Sequence, residues 1–344
     1  MKNKNMSLVA GAVLAASVMT MIAGTASAED LPQTKARQQQ SVRQGFASSE
    51  LAVLQRTGAV DQNKVGSALI AKLQPGSGHQ SSTLAGKLHL AGSQFSLEVA
   101  ADGSAADYED RAVAAKAHSL GKPVSDKMSA AELEQRGRGF IASKLASQIV
   151  LGADEELVAL RADYRTEGGK DMATGEISQA VTGNRIVFGR TLHGIPVVGN
   201  GSKVIVTFTN DGSVESFRYD WPTYQAGARQ QVVDAGQILS RVQKALSVRN
   251  GVAAATSNVP VPNGDGEAYP LALTPNTQLQ ALDCGYYDPG SFAGHVQSVQ
   301  PGCSYLAVSQ DPNGMRAGYA GAVPAGTQFA ADKGWLESQI LGAN

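Results

Sequence analysis

The chain has 344 residues, with 29 Lys and Arg against 30 Asp and Glu, 17% charged and 42% hydrophobic residues. This composition excludes wholesale disorder and collagen-like repetition. The balanced charge excludes the basic footprint of a general nucleic-acid binder and a polybasic patch for anionic membranes, and the length suits about two domains.

Lys2 and Lys4, an apolar stretch from Leu8 to Ala23 and the small residues Thr25-Ala26-Ser27-Ala28 have the layout of a secretory signal peptide. Residues 1–28 are therefore expected to be removed, leaving an exported chain with no later membrane span and a secreted or periplasmic location. Residues 29–60 read as a polar, Gln-rich arm with one or two helical turns. Val65, Leu69, Ile70 and Leu73 fall on one helical stripe ended by Pro75-Gly76. A hairpin follows, with strands over Thr83 to Ala91 and Gln94 to Ala100. The Ala-rich run from Ala105 to Ser119 reads as helix.

Ser129-Ala-Ala-Glu132 is a capping box. It opens a stripe of Leu133, Phe140, Ile141, Leu145 and Ile149. Strands are predicted over 157–165, 185–192, 203–209 and 214–219, the last two joined by a turn at Asn210-Asp211-Gly212. Asp234-Ala-Gly-Gln237 starts a second helix, with Ile238, Leu239, Val242, Ala245 and Leu246 on its apolar face. Beyond a Pro/Gly/Asn linker over 259–266, strands are predicted at 268–273, 279–287, 304–309 and 318–323, with a turn at Asp311-Pro-Asn-Gly314. A capped helix followed by a strand meander thus occurs twice. The predicted fold is α+β: two tandem units of a helix packed on an antiparallel sheet, preceded by an N-terminal helix/hairpin region. The expected divisions are 1–28 (signal peptide), 29–125, 126–225 and 226–344.

Local catalytic signatures are missing. The chain has no H-E-x-x-H, G-x-S-x-G or Walker A motif, and its five histidines are dispersed. Asp154-Glu155-Glu156 reads as a solvated turn. Asn263-x-Asp265-x-Glu267 imitates a calcium loop, but Ala268 and Thr274 stand where it needs Gly and an acid. Trp221, Pro222 and Tyr224 could stack on a sugar or form a core edge. No cofactor, metal or catalytic residue is expected; a hydrolase site assembled from distant residues is the alternative. Cys284 and Cys303 are the only cysteines, and export would let them form a disulfide, with two buried free thiols as the alternative. Pairing of the flanking strands would bring their Cα atoms near the roughly 5.5–6 Å typical of a disulfide.

The segment Arg185-Ile-Val-Phe-Gly-Arg-Thr-Leu-His-Gly-Ile-Pro-Val-Val-Gly-Asn-Gly201 is followed by Val204-Ile-Val, Asp211-Gly212 and Trp221. This resembles the FTP motif in the propeptides of secreted thermolysin-like metalloproteases, and the later helix and strands resemble the PepSY domain that accompanies it. The motif specifies turns more than chemistry. The resemblance implies a non-enzymatic protein that folds or inhibits a protease. No catalytic domain follows the motif, which implies action in trans on an exported polypeptide, such as a metalloprotease. The predicted docking elements are a sheet edge at His193, Gly194, Ile195, Pro196 and Val197 and the hairpin at Asp211 and Gly212. A self-associating envelope or extracellular protein is the other reading.

Overall fold

The computed structural model describes Phe46, residues 48–76, 78–170, Thr174, and residues 177–255, 278–291, 298–310 and 316–327. The signal segment, most of the Gln-rich arm, the 259–266 linker, the 268–273 strand, the calcium-like Asn263 to Glu267 segment and the Asp311–Gly314 turn lie outside these residues.

The N-terminal half contributes β1 (Glu50–Thr57), α1 (Gln62–Leu73), β2 (Gln80–Leu84), β3 (Lys87–Ala91), β4 (Phe95–Val99), β5 (Ala105–Asp110), α2 (Arg111–Ala117), β6 (Lys122–Pro123) and α3 (Ala130–Phe140). There follow β7 (Glu155–Lys170), β8 (Ile177–Leu192), β9 (Ile195–Gly199), β10 (Lys203–Phe208), β11 (Val214–Asp220), β12 (Thr223–Gln231), α4 (Ala235–Ala255), β13 (Gln278–Asp288), β14 (Ser298–Gln310) and β15 (Arg316–Pro324).

One run of strands, wholly antiparallel, has the order β7-β8-β10-β11-β5-β4-β3-β2. A second has the order β12-β1-β14-β13-β9, with β15 also on β14. The short strand β9 unites them, antiparallel to β8 through Ile195 and Pro196 and parallel to β13 through Val197 to Gly199. The fold is therefore a 15-stranded mixed sheet, and the expected pair of tandem helix-on-sheet units is incorrect. Helix-on-sheet packing does occur, but strands from both halves of the sequence are hydrogen-bonded into one network.

The expected N-terminal arm is also different: β1 pairs with β12 along its length and touches β14 at Leu54 and Gln55. Leu51 and Leu54 are three residues apart, a helical spacing. Both are buried in a cluster with Leu192, Ile195, Val197, Tyr286 and Val299; the register shift between Ala52 and Leu54 puts its extra residue on β12. The Ala-rich run predicted as one helix splits into β5 and α2, with Asp110 capping the helix through the Val113 amide.

The main core lies under the first run. Val65 and Leu69 of α1, with Leu133, Ile141, Leu145 and Ile149 of α3 and its continuation, meet Leu88, Leu97, Tyr108, Phe188, Val206 and Phe217 from the strands. Helix α3 begins at the predicted capping residue, Ser129, whose hydroxyl accepts from the Glu132 amide. It approaches β8 at Gly137, where a Cβ would come within 2.6 Å of the Phe188 ring. Helix α4 covers a second core made by Ile238, Val242, Leu282, Cys284, Cys303, Tyr305 and Val323. No helix among the described residues is long and apolar enough to cross a membrane.

Cys284 and Cys303 are disulfide-bonded. They are direct cross-strand partners on β13 and β14, so their Cα atoms lie 4.0 Å apart, closer than a typical disulfide. The bond ties residues 19 apart in sequence. Replacing both cysteines by alanine should lower unfolding stability by about 3 kcal/mol. Urea titration of the oxidised protein and the double variant measures this, and equal midpoints would refute it.

Candidate functional site

His193 and Gly194 form the two-residue turn between β8 and β9, with φ of 52° and 76°. The His193 amide donates to the Asp154 carbonyl (2.7 Å), and its exposed ring lies 3.6 Å from the Asp154 carboxylate. Ile195, Pro196 and Val197 lie on β9, which has hydrogen-bonded strands on both sides rather than a free edge. Asp211 closes its own hairpin: its carboxylate accepts from the Thr209 hydroxyl (2.5 Å) and the Ser213 amide (2.9 Å). These bonds hold the Asp211 carboxyl below the usual range. Gly212 sits at φ 86° against Arg136 of α3. The predicted docking residues thus act as turns and seams, and the two groups occupy different hairpins.

Of the Asp154-Glu155-Glu156 run, Glu155 pairs with Arg190 and accepts the Gly152 amide, while Asp154 and Glu156 are exposed as a solvated turn would have them. Trp221 is not an open sugar platform. It is buried, and the Arg190 guanidinium lies 4.9 Å from its ring and 5.1 Å from that of Tyr224. Among the described residues no group of three or more His, Cys, Asp or Glu could hold a metal ion.

The densest chemistry is a buried junction that sequence spacing did not reveal. Arg56 of β1 donates to both Asp288 oxygens at 2.7 and 2.9 Å and to Asp220 at 3.2 Å. Asp288 is fully buried at the end of β13 and also accepts from the Gly290 amide and the Tyr224 hydroxyl. Asp220, at the end of β11, accepts from the Ser291 amide. Lys203 donates to the carbonyls of Val197 (2.6 Å) and Gly201 (3.2 Å).

Burial pushes the Asp220 carboxyl up to about 6; Arg56 opposes the shift and Asp288 adds to it. Burial brings Lys203 down to about 8, against the pull of Asp288 and Asp220. The members lie 164 and 232 residues from Arg56 in sequence, which explains why no local motif announces them. These bonds join β1, β11, β12 and β13, so the junction welds strands, although the Arg56 Nε is buried without a hydrogen-bond partner.

The accessible surface lies at the other end of the strand order. The outer face of β3, β4, β5 and β11 carries a cross-strand row of His89, Glu98, Asp107 and Arg218. It lines an open groove of about 480 Å³ together with Lys87 and Glu109. Lys87 meets Glu98 at 3.0 Å, His89 meets Glu98 at 3.4 Å, and Arg218 meets Asp107 at 3.8 Å. The Asp107 carboxyl is raised by desolvation, with Arg218 opposing and Glu98 and Glu109 adding to the shift.

Strand β2 pairs with β3 and lines none of the groove; all five of its residues are exposed. Among the described residues β2 is hydrogen-bonded to β3 alone. The edges at β7, β12 and β15 carry protection of the kind that discourages strand addition. Strand β7 has two register shifts and the charged residues Arg161, Asp163, Arg165 and Glu167. Strand β12 has a register shift and, at its end, the Thr327 amide on the Gln231 carbonyl. Strand β15 packs against α4, whose Arg241 occupies the Pro324 carbonyl. Strand β2, Gln80-Ser-Ser-Thr-Leu84, has no charge, proline or bulge, and it leaves Leu84 68% exposed. The predicted hairpin missed it because the turn at Ala85-Gly86 lacks the usual Asn-Gly or Asp-Gly signal. No protein-family model matches the chain, and neither does any curated protein sequence.

Removing Arg56 would leave two buried carboxylates without their shared counter-charge. Arg56→Met should cost about 3–5 kcal/mol, read as a lower urea midpoint. A change below about 1 kcal/mol would show that the junction does not hold β1.

Proposed function

We propose that this chain is an exported, non-enzymatic binding protein that holds an extended segment of another exported polypeptide by strand addition at β2. One observation carries the reading: β2 is an uncharged, unbulged, exposed edge. An added strand would gain backbone hydrogen bonds from the edge. The propeptide resemblance makes a thermolysin-like metalloprotease the first partner to test. The N-terminal segment and the Cys284–Cys303 bond support export to an oxidising compartment.

The test is inhibition and complex formation with a thermolysin-like metalloprotease, followed by peptide cleavage and by size-exclusion chromatography. The protein should slow cleavage in proportion to its concentration and co-elute with the protease. Leu84→Lys, which puts a charge on the docking edge, should weaken both effects at least about tenfold. Full protease activity and separate elution at all ratios would refute the metalloprotease assignment.

A further inference from the structure

The two-residue turn after β2 fixes which of its backbone groups face outward. Ala85 and Gly86 both have positive φ, 49° and 80°, so Leu84 and Lys87 form the hydrogen-bonded closing pair. Antiparallel alternation makes Ser82–His89 and Gln80–Ala91 hydrogen-bonded pairs as well. Ser81 and Thr83 therefore turn their N–H and C=O groups away from β3, toward the open edge.

This edge is complementary to itself. Two copies placed antiparallel about a two-fold axis at Ser82 set Ser81 of each against Thr83 of the other. Each such pair can exchange both backbone hydrogen bonds. Leu84 of one copy then lies across from Gln80 of the other. The strand has no charge to oppose its own image, and the nearest cation, Lys87, stands one strand back and is paired with Glu98. The geometry points to dimerisation of the free protein through β2, edge to edge, so that the eight-stranded run of one copy continues into that of a second.

The partner is a second copy because the edge offers polar, neutral, near-symmetric chemistry rather than a charge pattern that selects a foreign strand. The inference rests on the same edge as the proposed function and supplies that site with a regulation. In the dimer β2 is occupied, so another polypeptide gains access only on dissociation. A five-residue edge makes a small interface, below about 1,200 Å², and hence a weak, concentration-dependent dimer.

Sedimentation equilibrium of the disulfide-intact protein, from about 1 to about 100 µM, tests the inference in the range expected of a small transient interface. The wild-type mass should rise from monomer toward dimer. Thr83→Pro removes an outward amide and no bond to β3, so it should stay monomeric with an unchanged far-ultraviolet spectrum. Ser82→Lys and Ser82→Glu should each be monomeric alone, by like-charge repulsion at the axis, and their equimolar mixture should associate. A wild type that stays monomeric throughout overturns the inference, as does a dimer indifferent to both Thr83→Pro and Ser82→Lys. A monomeric wild type that inhibits the protease would leave the proposed function standing. A β2-dependent dimer with no effect on the protease would leave only the dimer.

Discussion

Two buried carboxylates need one cation, and the position of that cation organises this fold. Asp220 closes β11 in the first run of strands, and Asp288 closes β13 in the second. Arg56 reaches both from β1. An unpaired charge at either position would be costly, so β1 cannot remain a loose arm. Its docking fixes the place of β12, which pairs along β1, and Tyr224 of β12 adds a hydroxyl to the same junction. The nearby Lys203 ammonium ties β9 to the turn that follows it by donating to the carbonyls of Val197 and Gly201. A well-packed apolar replacement could match such a cluster for stability, so its distinctive contribution is specification of which strands meet.

The seam beside the junction is narrow, and its residues explain the Gly- and Pro-rich stretch around it. Gly285 lies so close to the Pro196 carbonyl that a Cβ would come within 2.0 Å of the oxygen, so β13 can pair with β9 only with glycine there. The hydrophobic patch of Leu51, Leu54, Leu192, Ile195, Val197, Tyr286 and Val299 seals this zone with contributions from both runs. The open edge at β2 lies at the far end of the strand order. Polar exposure can persist there while the seam carries the burden of cohesion.

Elements governed by local chemistry were legible in the sequence. The Ser129 cap, the stripe through Leu133 and Leu145, and β8, β10, β11, β13, β14 and β15 follow from periodicity and turn residues. The cysteine pair followed from its count and from the strand-like flanks. Elements set by tertiary context were not legible. The run Thr-Tyr-Gln-Ala-Gly-Ala-Arg-Gln-Gln of β12 has no alternation, and β1 mixes a helical spacing with a register shift. The partition of strands is hidden for the same reason: nothing local shows that β13, almost 90 residues later, lies beside β9. The candidate site was equally hidden, since the worth of β2 lies in what it lacks and in how its neighbours are protected.

The central structural claim is that the two runs form one cooperative unit, joined by β9 and locked by Arg56. Differential scanning calorimetry of the oxidised protein tests it most directly. A single transition whose calorimetric enthalpy equals its van't Hoff enthalpy is the result this account predicts. Two resolved transitions, one of which survives Arg56→Met unchanged, would contradict it and restore a division into independent units.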